Sequence, residues 1–497
     1  MHTPQKRTSD HFGQLVPPGP APAPVLAAAA TAGLGAALAL PPSLSPGVGW
    51  PVAVLVAAAG LWWAAGRLAL PRPSWSRLGW AVAVLALVSV GAVRAAEWLS
   101  ALCLVTAWGA GAVAVTTGRS GRAILTGVVE VTVAVLRSPA WGGRGLAVLV
   151  GRTGDGAVRL VWSLVAGVVL LLVFGLLFAT ADPAYARLVA DALPALDGPE
   201  LVRLVLVTAV AAVTVLGVCH RLLAPRHREP VAPAAATLRR AEWAVPVAML
   251  VALFVSFVLV QLAALFGGSA YVRTTTGLSY AEYARQGFWQ LSAVTALTLG
   301  VIAAAARWAP AATRADRVWL RALLGPLAGL TLLVVASALG RMWTYQEAYG
   351  FTVLRLLVSC CELWLGLVYL LVLLAGVRLR ARWLPKAVLA SGVTALLVLA
   401  AANPDRLVAD ANVDRYRGTG QLDLAYLSGL SADAVPAMER LPEPARGCAL
   451  ASVAAWRSVR VGDWRSWNLG WSGGGVVVRR PADCPYEIRD GGRAVLR

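Results

Sequence analysis

The chain has 497 residues, 58% of them hydrophobic and 14% charged, with a net charge of +19 and a mean hydropathy of +0.69. Soluble domains are about half apolar and about a quarter charged, so these values exclude a soluble globular protein, a disordered chain, collagen and a small disulfide scaffold. In a soluble protein such a charge would point to nucleic acid. Here only Lys6 and Lys386 of the 44 basic residues are lysine, and most arginines stand in short loops between apolar runs. That is the pattern of membrane orientation, so the partner read from it is a lipid bilayer and no nucleic acid.

After a polar N-terminus (1–23), apolar runs follow at 24–40, 48–68, 78–93, 98–117, 158–181, 201–221, 243–267, 286–306, 321–340, 351–377 and 384–402. A span needs about 20 apolar residues to cross a core of about 30 Å, and unsatisfied backbone cannot stand in lipid, so each run is read as a helix. The expected fold is therefore all-α: a polytopic bundle of about eleven spans, four in 24–117 and a seven-helix core in 158–402. The first run is short and Ala-rich. Its Ala37-Leu38-Ala39 also has the small residues of a signal-peptidase site, and cleavage there would leave ten spans without changing the other orientations.

With the N-terminus cytoplasmic, the cytoplasmic segments carry 24 basic residues and the opposite short loops six: Arg94, Arg187, Arg203, Arg273, Arg285 and Arg341. The 182–200 loop is net acidic, with Asp182, Asp191, Asp197 and Glu200. This bias orients the chain with its C-terminus outside a bacterial plasma membrane.

Between the fourth and fifth spans lies a cytoplasmic segment, 118–157. Its apolar stretch Ala123–Leu136, bearing Glu130, is too short to span and is read as a helix in the inner interface or docked on the bundle. The glycines at 142, 143, 145, 151, 154 and 156 match no phosphate-binding pattern and read as a flexible connector. Residues 403–497 read as a small, mostly helical extracytoplasmic domain. Asn403-Pro404-Asp405 ends the last span, helices follow around 405–416, 421–428, 431–440 and 446–461, and Val476–Val478 suggest a strand. Trp464, Trp467 and Trp471, after Asp463, have the spacing of one helix face, suited to core packing or to resting on the membrane, with sugar stacking in an envelope-facing site as the alternative. Cys448 and Cys484 are the cysteines of this domain and a disulfide candidate, because disulfides persist outside the membrane. The histidines and remaining cysteines have no metal-ligand spacing, so no metal or cofactor is expected.

Six of the ten tyrosines fall in three short outer loops: Tyr185, Tyr271, Tyr280, Tyr283, Tyr345 and Tyr349. Asp182, Arg187, Arg273, Glu282, Arg285, Arg341 and Glu347 stand among them. An aromatic belt explains the rings. A polar cavity open to the outside, built by the outer ends of spans five and seven to ten, explains the interleaved charges as well. Arg355 and Glu362 lie two helical turns apart in an otherwise apolar span. Charges there face a bundle interior and its partners, either as structural ion pairs or as a proton or ion relay.

Several segments together carry a resemblance: Phe178–Pro183, Tyr280–Trp289, Arg341 and Tyr345 with Ala348–Thr352 and Arg355, Asn403–Asp405, Asn412–Arg415 and Leu422–Ser428. This set resembles the bacterial membrane family called domain of unknown function 4173, with its relative 4153, over roughly 160–497. The resemblance implies a polytopic envelope protein and brings no activity with it.

Two function classes remain. One is a non-enzymatic component in envelope transport, sensing or scaffolding, with envelope or signalling proteins as partners and an outward-facing Tyr/Arg/Glu cluster. The other is a membrane-embedded enzyme acting on lipid-linked or envelope substrates. Polytopic glycosyltransferases place catalytic acids in the first outer loop, and here that loop, Pro41–Gly47, has none. No cytoplasmic segment is large enough for a kinase domain, and no inverted repeat marks a transporter. The sequence favours the non-enzymatic class.

Overall fold

The computed structural model describes residues 19–116, 121–151, 198–224, 238–276, 288–310, 312–378, 381–460, 463–472, 486–489 and 493–496, with scattered positions between 163 and 187. The elements are α1 (Ala23–Ala39), α2 (Gly49–Arg67), α3 (Trp75–Val93), α4 (Glu97–Thr116), α5 (Gly121–Leu149), α6 (Gly198–Leu223), α7 (Arg240–Thr276), α8 (Phe288–Trp308), α9 (Arg314–Tyr349), α10 (Val353–Arg378), α11 (Leu384–Ala402) and α12 (Pro404–Thr419). Short helices α13 (Leu424–Ser428) and α14 (Val435–Met438), then α15 (Ala445–Arg460) and an antiparallel hairpin of β1 (Tyr486–Arg489) and β2 (Arg493–Leu496), follow. Among the described residues, nine helices are long and apolar enough to cross a membrane, and α1 is a shorter apolar helix. These ten coincide with expected spans. The fifth, 158–181, lies largely outside the described residues. The protein is an all-α, multi-pass membrane helix bundle.

Contacts divide the chain into two compact units, Met1–His227 with Arg460–Gly473, and Arg228–Val459 with Gly474–Arg497. The first unit is held by small residues. α1 buries Val25, Ala28, Ala29, Ala32 and Gly33, and a side chain at Gly33 would stand 2.8 Å from the Thr208 carbonyl of α6. Its alanine-rich composition therefore lets backbones approach closely, as interhelical seams in lipid require.

α5 is one amphipathic helix that continues through Gly142, Gly143 and Gly145, so these glycines are not a flexible connector. Two of them serve close packing: a side chain at Gly142 would meet Leu216 at 3.0 Å and one at Gly145 the Ala21 carbonyl at 2.3 Å, and from the other side a side chain at Gly217 of α6 would meet the Val135 backbone at 2.5 Å. Ser138 Oγ donates to the Val213 carbonyl (3.1 Å), Trp141 Nε1 donates to the Gly19 carbonyl (3.1 Å), and Glu130 pairs with Arg221 at 2.7 Å. α5 is thus docked on the bundle, beside the start of α1.

At the opposite end of this unit, the 463–472 segment returns to the 40–48 and 91–96 turns. The Val48 N–H donates to the Trp467 carbonyl (2.9 Å). Asn468, 1% exposed, donates from Nδ2 to the carbonyls of Gly91 (2.6 Å) and Arg94 (2.7 Å). The residues expected as one piece, 403–497, are accordingly shared between the units. The three tryptophans do not share one helix. Asp463 caps a 3-10 turn at Trp464–Ser466, Trp467 is extended, and Leu469–Ser472 forms a separate turn.

In the second unit, α7 to α10 enclose a core of Trp243, Phe254, Leu291, Leu327, Val334, Met342 and Tyr369. α9 starts at a capping box in which Thr313 and Asp316 bond each other's backbone N–H, and Arg240 holds Asp316 at 2.7 Å. With 36 residues it is about 54 Å long, well beyond a bilayer core. Residues 341–349, expected in a loop, are its last turns. α11 ends at Asn403, whose left-handed backbone (φ 58°) turns the chain and whose side chain then caps α12.

Candidate functional site

The corner where α9 meets α10 gathers several of the expected polar residues. α9 stops at Gly350, whose φ of 86° a side chain would strain. Thr352 then caps α10 by accepting from the Arg355 N–H (3.3 Å). Arg355 reaches back over the turn. Its Nη1 donates to the carbonyls of Tyr349 (3.3 Å) and Gly350, and its Nη2 donates to the Tyr345 hydroxyl (3.1 Å). The Tyr345 and Tyr349 rings lie 5.1 Å apart. The guanidinium therefore satisfies carbonyls that the helix end leaves open.

α12 locks onto the same turn. Asn412 Nδ2 donates to the Phe351 carbonyl (2.8 Å) while its Oδ1 accepts from the Phe351 N–H (3.0 Å), a two-way bond that copies a strand pairing. Arg415 donates to the carbonyls of Glu347 (3.1 Å) and Ala348 (2.8 Å) and to Gln421 Oε1 (3.2 Å). The Val353 N–H donates to the Tyr426 hydroxyl (2.7 Å). Burial pushes the Tyr426 phenol above its ordinary pKa, partly opposed by that hydrogen bond. Beside this lock lies an open cavity of about 500 Å³, whose lining includes Tyr349, Arg415, Gln421, Leu422, Asp423 and Leu424.

The other expected site residues are placed as follows. Glu347 accepts from Trp343 Nε1 (2.7 Å), and Arg341 donates to Gln261 Oε1 (2.8 Å), which also accepts from Ser337 (3.0 Å). Glu362 is buried on α10 (1% exposed). One oxygen takes a hydrogen bond from Ser292 and the other, Oε2, has no partner among the described residues. Asp182 and Tyr185 belong to the first unit, where Asp182 Oδ1 accepts from the Ala184 N–H (2.8 Å) and Tyr185 packs on Phe178. Tyr280, Glu282, Tyr283 and Arg285 lie outside the described residues, as does Cys484. Cys448 is buried and disulfide-bonded.

Asn412, Arg415, Gln421, Asp423, Tyr426 and Gln261 belong to these arrangements and were not among the expected site residues. The signal for most of them was present, since Asn412–Arg415 and Leu422–Ser428 carry part of the family resemblance.

Residues 82–441 match the family model described as domain of unknown function (DUF4153). The match covers well over half of the chain, which belongs to that family. It begins inside α3, earlier than the resemblance read from the sequence, and ends just after α14. No curated protein and no solved structure matches the chain.

Proposed function

We propose that this protein is a non-enzymatic component of a bacterial plasma membrane, with its N-terminus cytoplasmic and the α9–α10–α12 corner extracytoplasmic, where it senses or binds an envelope molecule or a partner protein. The observation that carries this reading is the cavity beside Tyr349 and Arg415. The corner's polar side chains hold its wall rigid, and a preformed concave site with a few polar groups is what recognition uses. The arginine bias between the loops supports the orientation. An enzyme acting on lipid-linked substrates is the weaker reading. Glycoside hydrolysis uses paired carboxylates, whereas one carboxylate, Asp423, lines this cavity and it caps the Tyr426 N–H (2.9 Å).

Two measurements test the proposal. Reporter fusions within 118–157 and 225–240 should read as cytoplasmic, and fusions after 410 as outside. A photoreactive amino acid at Leu422 in living cells should then form a discrete adduct that Arg415→Ala or Asp423→Ala diminishes. A cytoplasmic reading after 410 sinks the orientation, and absence of any adduct sinks the binding role.

A further inference from the structure

Below the corner, a seam of buried polar groups runs between α8, α9 and α10. Arg355, Ser359, Glu362 and Tyr369 share one face of α10, at spacings of four, three and seven residues. Ser292, Thr295 and Thr298 share one face of α8. The Tyr369 hydroxyl donates to the Thr295 carbonyl (2.6 Å), and Thr295 and Thr331 spend their own hydroxyls on carbonyls one turn back. Towards the corner, Gln346 Nε2 donates to Ser359 Oγ (3.3 Å), and Ser359 donates to the Arg355 carbonyl (2.9 Å). Glu362 sits in the middle, with one oxygen bonded to Ser292 and the other unmatched.

Among the described residues, no cation acts on Glu362 to balance a carboxylate. On its own helix, the titratable groups that act on it are Cys361 and Tyr369. Arg355 is two turns away and engaged with Tyr345 and two carbonyls. α9 has no ionisable residue between Arg321 and Arg341, α8 has Arg307 alone, at its far end, and α11 has Lys386 alone, in its first turn. α12, which packs on the corner end of α10, brings Asp405, Arg406, Asp410, Asp414, Arg415, Tyr416 and Arg417, all beyond the last span. An ionised carboxylate buried this way is far more costly than a neutral acid hydrogen-bonded to a single hydroxyl.

We infer that Glu362 is a proton-binding site of the membrane interior, holding an exchangeable proton as a neutral carboxylic acid against Ser292. On release, the acid O–H bond breaks, the electron pair stays on the carboxylate, and the proton passes to water at the corner end, past Ser359 and Gln346. Ionisable residues within spans commonly mark such pathways. The inference stands apart from the binding role of the cavity.

The test is infrared difference spectroscopy of the purified full chain, wild type minus Glu362→Gln. The expected result is one protonated-carboxyl C=O band, absent from the variant, that shifts within minutes of transfer to D2O. Ser292→Ala should move this band to higher frequency as its hydrogen bond is lost. Absence of the band overturns the inference, because the group is then ionised. A band unmoved in D2O overturns it as well, because a sealed proton carries no traffic. If Glu362→Gln does not purify as a monodisperse protein, Glu362→Asp serves as the comparison, and the band must then shift instead of vanishing.

Discussion

The Arg355 guanidinium lies 4.2 Å from the centre of the Tyr345 ring and donates to that residue's hydroxyl. One side chain thus ties the last turns of α9 to the first turn of α10 and, through the carbonyls of Tyr349 and Gly350, closes the turn between them. The charge that the sequence pairs with Glu362 on one helix face is used here for something else. Arg355→Ala should lower stability by about 2 kcal/mol, the usual cost of losing hydrogen bonds to a charged group. Arg355→Lys should recover only part of this, because an ammonium cannot reproduce the planar fork. Thermal unfolding of the detergent-purified chain measures both, and an unchanged midpoint for the alanine variant would refute the role.

The pairing of Asn412 with Phe351 makes a second, separable claim. Asn412→Ala leaves a backbone N–H and a carbonyl without their partner and should cost about 1–3 kcal/mol. Gly350→Ala should also destabilise, by about 1–3 kcal/mol, because the new side chain would adopt a positive φ and stand 3.0 Å from Asn412 Oδ1. If the glycine variant were as stable as wild type, the left-handed turn would not be the device that stops α9.

In the first unit, Gly217→Ala should push α5 away from α6, because the added methyl would overlap the Val135 backbone. Overpacking of this kind costs about 1–3 kcal/mol. The readout is thiol labelling at Val135→Cys, which should rise several-fold when Gly217→Ala is added. Equal labelling in both backgrounds would mean that α5 is not docked through this contact.

Asn468→Ala should free the 463–472 segment by removing two donors to buried carbonyls, a local loss of about 1–3 kcal/mol. Limited proteolysis after Arg465 should accelerate markedly, while the melting of the membrane helices changes little. Proteolysis at the wild-type rate would show that the tryptophans, not the amide, retain the segment.

Cys448 is disulfide-bonded, Cys103, Cys219, Cys360 and Cys361 are free, and the sequence has six cysteines. The expected partner is therefore Cys484. A loop of this length contributes about 3–4 kcal/mol in the chain-entropy model. Alkylation of the full chain should reach Cys448 and Cys484 only after reduction. Labelling of both without reductant, or a reducible dimer on a gel, would contradict the pairing.

The positions of ten of the expected apolar helices were legible in the sequence because crossing hydrocarbon is an additive, local demand. About 20 apolar residues in a row answer it, whatever they touch. The stop at Asn403-Pro404-Asp405 was legible for the same reason, since a left-handed residue followed by proline ends a helix without help from distant parts of the chain. The corner was legible only as a list of residues. Hydropathy falls at Arg341, Tyr345 and Glu347 as it would in a loop, yet α9 continues through them because backbone bonding, not apolarity, sustains a helix. Which partner each polar group found was decided by tertiary packing alone. Arg355 took Tyr345 and two carbonyls, Asn468 took Gly91 and Arg94 from almost the other end of the chain, and Glu362 took Ser292 of another helix. Hydrogen bonds of this kind act over about 3 Å, and which atoms come within that range depends on how helix surfaces interlock.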